Sequence, residues 1–303
     1  MTEKISTDLI DVILYACGDV QLHDEQDMMS YAHYSLSKKK RLTPIKYTGL
    51  DKNGLPFLLE IRPHPDYGMA TIWDFDIVMY AISHFVSSEK AGVKISNSIT
   101  VRPYHLLKSI GRHDTGSNYQ DLLTAFKRLQ STVITNTKNR SLKSKKQVYE
   151  QFSFIQSLRV DEKTNEITFA LCDWIFDSII DKHLLAISPD YFKITSGIGR
   201  HLYKIARKHA GNQTSGWWFS FETLYKKCGS TDLERKFKSR VKVITEKNNL
   251  PEYWLTVEKN LDGTEGVALL RRDYLPFGHE GNKGILRRRK KISADSKVSK
   301  KKA

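Results

Sequence analysis

Cysteine is scarce in this chain. Cys17, Cys172 and Cys228 are the only three in 303 residues, far apart and with no Cys or His beside them at metal-ligand spacing. No metal centre is expected, and the three read as reduced, buried thiols of a cytosolic protein. Also missing is any apolar run approaching the roughly 20 residues that span a bilayer. The opening Met1-Thr2-Glu3-Lys4 lacks a basic stretch followed by an apolar core, so nothing points to export or a membrane. No G-x-x-x-x-G-K-[ST], H-E-x-x-H or C-x-x-C occurs, which weakens ATPase and zinc-hydrolase readings. The ten histidines, among them His64, His84 and His105, never adopt the His-apolar-His spacing of a rolling-circle nickase, and the fourteen tyrosines read as core and interface residues. Gly197-Ile198-Gly199 opens a helical stretch but lacks the third glycine and preceding strand of a dinucleotide fold, so it reads as a helix entry. The expectation is a non-enzymatic protein without metal or cofactor.

What is present is a foldable, basic chain. Apolar residues make up 40% and charged residues 27%, as in ordinary globular proteins. At this length two domains are expected. Lys and Arg number 49 against 34 Asp and Glu, a formal charge of +15 that favours a polyanionic partner. Charge alone does not separate DNA, RNA and a membrane surface. Residues 278–303 hold ten basic and two acidic residues, so +8 of that +15 belongs to the tail and the rest is mildly basic. The tail's Arg287-Arg288-Arg289-Lys290-Lys291 and Lys300-Lys301-Lys302 fit either sequence-independent DNA affinity or simple solubility.

Residues 1–44 read as a flexible or partner-dependent arm, ending in Lys38-Lys39-Lys40-Arg41. Folded structure is expected from Ile45, where Asp51-Lys52-Asn53-Gly54 separates two strand-like runs as a hairpin turn. Trp73, Ile77, Tyr80, Ala81 and Phe85 recur at helical spacing, with Thr71 as a cap. Pro103 to Ile110 predicts a second helix, stopped by Gly111. Ser117 to Gln130 predicts a third, with Tyr119, Leu122, Leu123, Phe126 and Leu129 on one face and Ser117, Gln120, Asp121, Thr124 and Arg128 on the other. Strand-like runs follow at Thr132 to Thr137, Phe152 to Val160 and Ile167 to Leu171, with a basic loop after the first. Three helices followed by strands describe a winged helix.

Asp173 to Asp181 reads as a buried helix joining the halves, and the order then repeats. Helices are expected at Gly197 to Ala210, Ser220 to Cys228 and Asp232 to Glu246, with strands at Tyr253 to Glu258 and Val267 to Arg271. Tyr104 to Gly111 and Glu222 to Gly229 share apolar, basic and glycine positions at the same spacing, which suggests a duplication. The expected fold class is α+β, two tandem winged-helix (helix-turn-helix) domains at 45–188 and 189–277, between the N-terminal arm and the basic tail.

In a helix-turn-helix the helix after the turn enters the major groove, its polar face towards base edges. In the first unit Ser117, Thr124, Lys127 and Arg128 are the candidates, with Arg128 the best single choice for a guanine or phosphate. In the second, a buried stripe of Leu233, Phe237, Val241 and Ile244 leaves Arg235, Ser239 and Lys242 opposite it, flanked by Lys236, Lys238 and Arg240. Residues 200–247 hold twelve basic and four acidic residues, which makes this half the expected electrostatic anchor. Lys138, Arg140, Lys143, Lys145 and Lys146 lie in a loop without acids and fit a wing on the phosphate backbone. A solvated helix face and a solvated loop would show the same charges.

The blocks Leu55 to Pro63, Gly68 to Asp76, Val101-Arg102-Pro103-Tyr104 to Leu129, and Ile187 to Phe192 carry a resemblance. Over roughly 45–275 the chain resembles the plasmid replication initiator protein A family, similar to tandem winged-helix initiators. The resemblance implies a protein that binds repeated double-stranded DNA sites at a plasmid origin, helps melt adjacent DNA, and recruits the host initiator and helicase. It further implies monomers on the repeats and a homodimer on an operator. It maps no base contact onto particular residues. A transcriptional repressor or regulator without melting activity shares the fold and stays open.

Overall fold

The computed structural model describes residues 20–51, 54–137 and 149–280. Helices mix with strands that pair antiparallel throughout these residues. Strand β1 (His23–Glu25) is followed by β2 (Ile45–Leu50) and β3 (Pro56–Arg62), a hairpin in register from Ile45 opposite Ile61 to Leu50 opposite Pro56. Alternation turns Ile45, Tyr47, Phe57, Leu59 and Ile61 into the core. Helix α1 (Phe75–Lys90) starts at a reciprocal cap: the Thr71 amide donates to Asp74 Oδ2 at 2.8 Å and the Asp74 amide to Thr71 Oγ1 at 3.2 Å.

After α1 come β4 (Ser98–Val101), α2 (Pro103–Ser109), α3 (Gly116–Ser131), β5 (Val133–Asn136), β6 (Glu150–Phe152), β7 (Ile155–Asp161) and β8 (Glu166–Leu171). Helix α4 (Asp173–Ile180) and strand β9 (Leu184–Ala186) close the first half. The second half runs α5 (Gly197–Ala210), β10 (Trp217–Ser220), α6 (Phe221–Cys228), α7 (Glu234–Lys247), β11 (Tyr253–Lys259) and β12 (Glu265–Arg271). The halves repeat one plan. Each has a long helix, a short strand, a helix-turn-helix pair and a hairpin, and the sheets are ordered β4-β8-β7 and β10-β12-β11. The short strands β4 and β10 escaped sequence reading because four residues give alternation too little length to register.

Two expectations are corrected. The arm placed at 1–44 is packed over its described part: Leu22, Met28, Met29, Ala32 and Tyr34 are buried, and β1 pairs with β9. These apolar residues follow no helical or strand period, so the pattern hid them. The basic loop placed as a wing instead links β5 to β6, two strands of the separate sheet β2-β3-β5-β6. The hairpin after α3 is β7–β8, and its turn through Asn165 (φ 55°) carries acidic as well as basic residues. Lys138, Arg140, Lys143, Lys145 and Lys146 themselves lie outside the described residues, as do 281–303 of the basic tail.

Helix α5 joins the halves and is buried on almost every side. Its N-terminus is a contact and not an anion loop: a Cβ on Gly197 would come within 2.1 Å of the Leu36 carbonyl oxygen. Its charged residues are paired inside. Lys204 Nζ lies 2.8 Å from Asp24, both fully buried, and Arg200 Nη1 donates to both carboxylate oxygens of Asp76 at 2.8 Å. Arg207 donates to the Ala186 carbonyl and Lys208 to the Gln26 carbonyl, each at 2.7 Å. All four basic residues of 200–208 thus tie α5 to α1, to β9 and to the N-terminal segment. No helix among the described residues is long and apolar enough to cross a membrane.

Candidate nucleic-acid interface

In the first unit, Pro103 supplies the first turn of α2 and Gly111 (φ 71°) ends it. The Thr115 side chain caps α3, and Asn118 Nδ2 donates to the His113 carbonyl at 2.7 Å, which fixes the turn between the helices. Leu122, Ala125, Phe126 and Leu129 are buried, which leaves Ser117, Gln120, Thr124 and Lys127 exposed together along the opposite face. Lys127 Nζ stands 5.8 Å from the Tyr67 ring centre.

Arg128 does not belong to that face. Its guanidinium clamps Asp74 with two hydrogen bonds of 2.7 and 2.8 Å, tying α3 to the start of α1. The Asp74 carboxylate holds the guanidinium more firmly protonated than usual, against the opposing effect of burial. Asp74 lies 54 residues away in sequence, so the partner is invisible to a helical-wheel argument. Arg128 is corrected from a base reader to a structural ion pair.

In the second unit, Ser220 caps α6 by accepting from the Thr223 amide at 3.1 Å. The helix ends at Gly229 in the left-handed region (φ 51°). Tyr225 Oη donates to the Asp232 carbonyl at 2.9 Å across the turn. Phe237, Val241, Ile244 and Thr245 are the buried face of α7, while Leu233, expected in that stripe, is 64% exposed at the N-cap. Arg235, Lys236 and Ser239 are exposed as expected.

Lys238 and Lys242 are not free. Both reach Glu265 at the start of β12, at 2.5 and 2.7 Å, and both stand within 6 Å of the Phe221 ring centre. Their hydrogen bonds hold the Glu265 carboxyl down at about 2. Arg240 pairs with Asp232, and Lys226 with Glu222. Of the basic residues read as an anchor, Arg235, Lys236 and Lys247 make no ion pair with a described residue. The unpaired positive charge of this half is therefore narrower than its composition: Arg235 and Lys236 at the N-terminal end of α7 and Lys247 at its C-terminal end.

Near both helices lies the end of the segment expected to be a flexible arm. Leu36 and Lys38 each line a cleft. One, of about 410 Å³, is lined by Leu36, the α5 entry and Ser239, Arg240, Val243 and Lys247 of α7. The other, of about 460 Å³, is lined by Lys38, Trp73, Arg112 and Asn118, Asp121 and Arg128 of α3. Arg41 Nη1 donates to the Gly229 carbonyl at 2.6 Å, at the turn before α7.

The family model for replication initiator protein A matches residues 23–255. A protein of Wigglesworthia glossinidia brevipalpis named for a role in replication is 37% identical over 203 residues, covering 65% of this chain and 72% of that one. Among solved structures, one of domains 2 and 3 of RctB superposes with a TM-score of 0.60 at 14% identity, covering 81% of this chain and 97% of that one. A second structure of the same two domains, RctB residues 155–483, gives 0.51 at 13% identity, covering 79% and 95%. At such identities the likeness to RctB is one of fold.

Proposed function

The chain belongs to the replication initiator protein A family, and on that premise we propose that it starts replication by binding repeated double-stranded DNA sites at a plasmid origin. The two repeated units act as tandem winged helices, with α3 and α7 as the helices that enter successive major grooves. One observation carries this reading: in both units the helix after a capped turn presents an exposed polar face, Ser117, Gln120, Thr124 and Lys127 in one and Arg235, Lys236 and Ser239 in the other. Duplicate faces on duplicate units suit DNA that offers two grooves in succession. The role is one of binding, without a catalytic step.

Melting of adjacent DNA, recruitment of the host initiator and helicase, and a change from homodimer on an operator to monomer on the repeats extend the same reading and rest on family membership. All would take place in the bacterial cytoplasm. The test is a marker plasmid carrying only this gene and its flanking DNA. Colonies are expected after transformation, together with permanganate-reactive thymines beside the repeats on supercoiled DNA. Intact expression without colonies overturns the initiator role. Specific binding without permanganate reactivity would leave a transcriptional regulator.

A further inference from the structure

We propose that Lys38, Lys39 and Lys40 form a third contact with the duplex, on the phosphate backbone between the stretches met by α3 and α7. The inference deepens the DNA-binding reading above and rests on it. All three lysines are exposed, and none makes an ion pair with a described residue. This sets them apart from most basic residues of α5 and α7, which are neutralised internally.

Their position is fixed at both ends. On the first unit's side, Lys38 Nζ lies 5.2 Å from the Trp73 ring centre and lines a cleft with Asn118 and Asp121 of α3. The Met69 amide donates to the Arg41 carbonyl at 3.0 Å, and Gly68 (φ 79°) packs against Lys40. On the second unit's side, Arg41 is bound to Gly229 and the Leu36 backbone is seated on Gly197. The segment is therefore held at Leu36 and Arg41 while its three lysines are exposed, Lys38 over Trp73 beside α3, with Leu36 and Arg41 seated on the second unit. An exposed triple charge without carboxylate partners, on a segment anchored to both units, matches the phosphate array that must cross the interval between the two helices. Its contribution is independent of base sequence.

The experiment uses the full chain and duplex DNA carrying the origin repeats, comparing the unmodified protein with the triple variant K38A/K39A/K40A. The substituted groups are exposed, and an unchanged unfolding midpoint confirms the fold. If all three lysines meet phosphates, the slope of log K against log salt falls in magnitude by about 2.7, at about 0.9 per contact. Hydroxyl-radical footprinting is expected to lose protection only between the two major-groove segments. An unchanged slope, or protection weakened evenly along the site, overturns the proposal. Failure of the unmodified chain to bind the repeats removes the DNA-binding reading itself, and this inference with it.

Discussion

Replacing Lys204 by Met tests whether α5 is held by charge or by packing. Lys204 and Asp24 are both fully buried, 2.8 Å apart, and they connect the second half to β1. The Lys204 ammonium also lies 4.4 Å from the Phe75 ring centre and 5.1 Å from that of Tyr34. Burial pushes its pKa below the ordinary lysine value, and Asp24 pulls it back. Met conserves most of the volume but leaves the Asp24 carboxylate buried without its partner. Breaking one side of such a pair costs about 3–5 kcal/mol, which in a chain of this size lowers the melting temperature by roughly 10 °C. Asp24→Asn combined with Lys204→Met removes both charges and is expected to recover at least about 2 kcal/mol of that loss. Urea unfolding followed by tryptophan fluorescence on the two single variants and the double measures the coupling. A loss below about 1 kcal/mol for Lys204→Met, or strict additivity in the double, refutes the assignment of this pair as the bolt between the halves.

Three further outcomes follow from the geometry. Arg128→Ala strips Asp74 of its clamp and is expected to cost about 2–3 kcal/mol of stability while changing DNA affinity by less than about 0.5 kcal/mol; chemical denaturation and anisotropy titration of the same sample separate the two. Glu265→Gln releases Lys238 and Lys242 and should tighten DNA binding and steepen its salt dependence, as read by titration at several salt concentrations. Burial holds His84 at about 4 and His201 at about 3. The unfolded chain binds a proton at each near 6.5 and the folded chain does not, so stability is full above about pH 6.5 and falls as pH drops towards those values. Each histidine contributes a slope of about 1.4 kcal/mol per pH unit. His23, also lowered by burial, adds to the same decline; His84→Gln should remove one part of it between pH 6.5 and 5, measured by urea unfolding, and a flat stability profile there would contradict the assignment.

Local pattern reached most of the helices because each carries its own evidence. Leu122, Phe126 and Leu129 repeat at helical spacing, Pro103 and Gly111 bracket α2, and Gly229 ends α6. It failed where the deciding partner was distant. The charges of Arg128, Lys204, Arg200, Lys238 and Lys242 look available in sequence, yet each is neutralised by an acid elsewhere in the chain. Wing assignment failed for a related reason: β5 and β6 look like parts of the hairpin after α3 until pairing with β3 assigns them to another sheet.

Scarce cysteine, the absence of nucleotide and metal motifs, the basic balance and the repeated helix-turn-helix spacing are properties of composition and local period, and they pointed to DNA without any coordinates. Which cations face outward is a different kind of fact. An ammonium group counts towards a polyanionic partner only if no carboxylate of the same chain reaches it first, and the fold decides that by bringing Asp24, Asp74, Asp76 and Glu265 to their partners. The same folding seats the segment once read as a loose arm between two helices and leaves Lys38, Lys39 and Lys40 unpaired there.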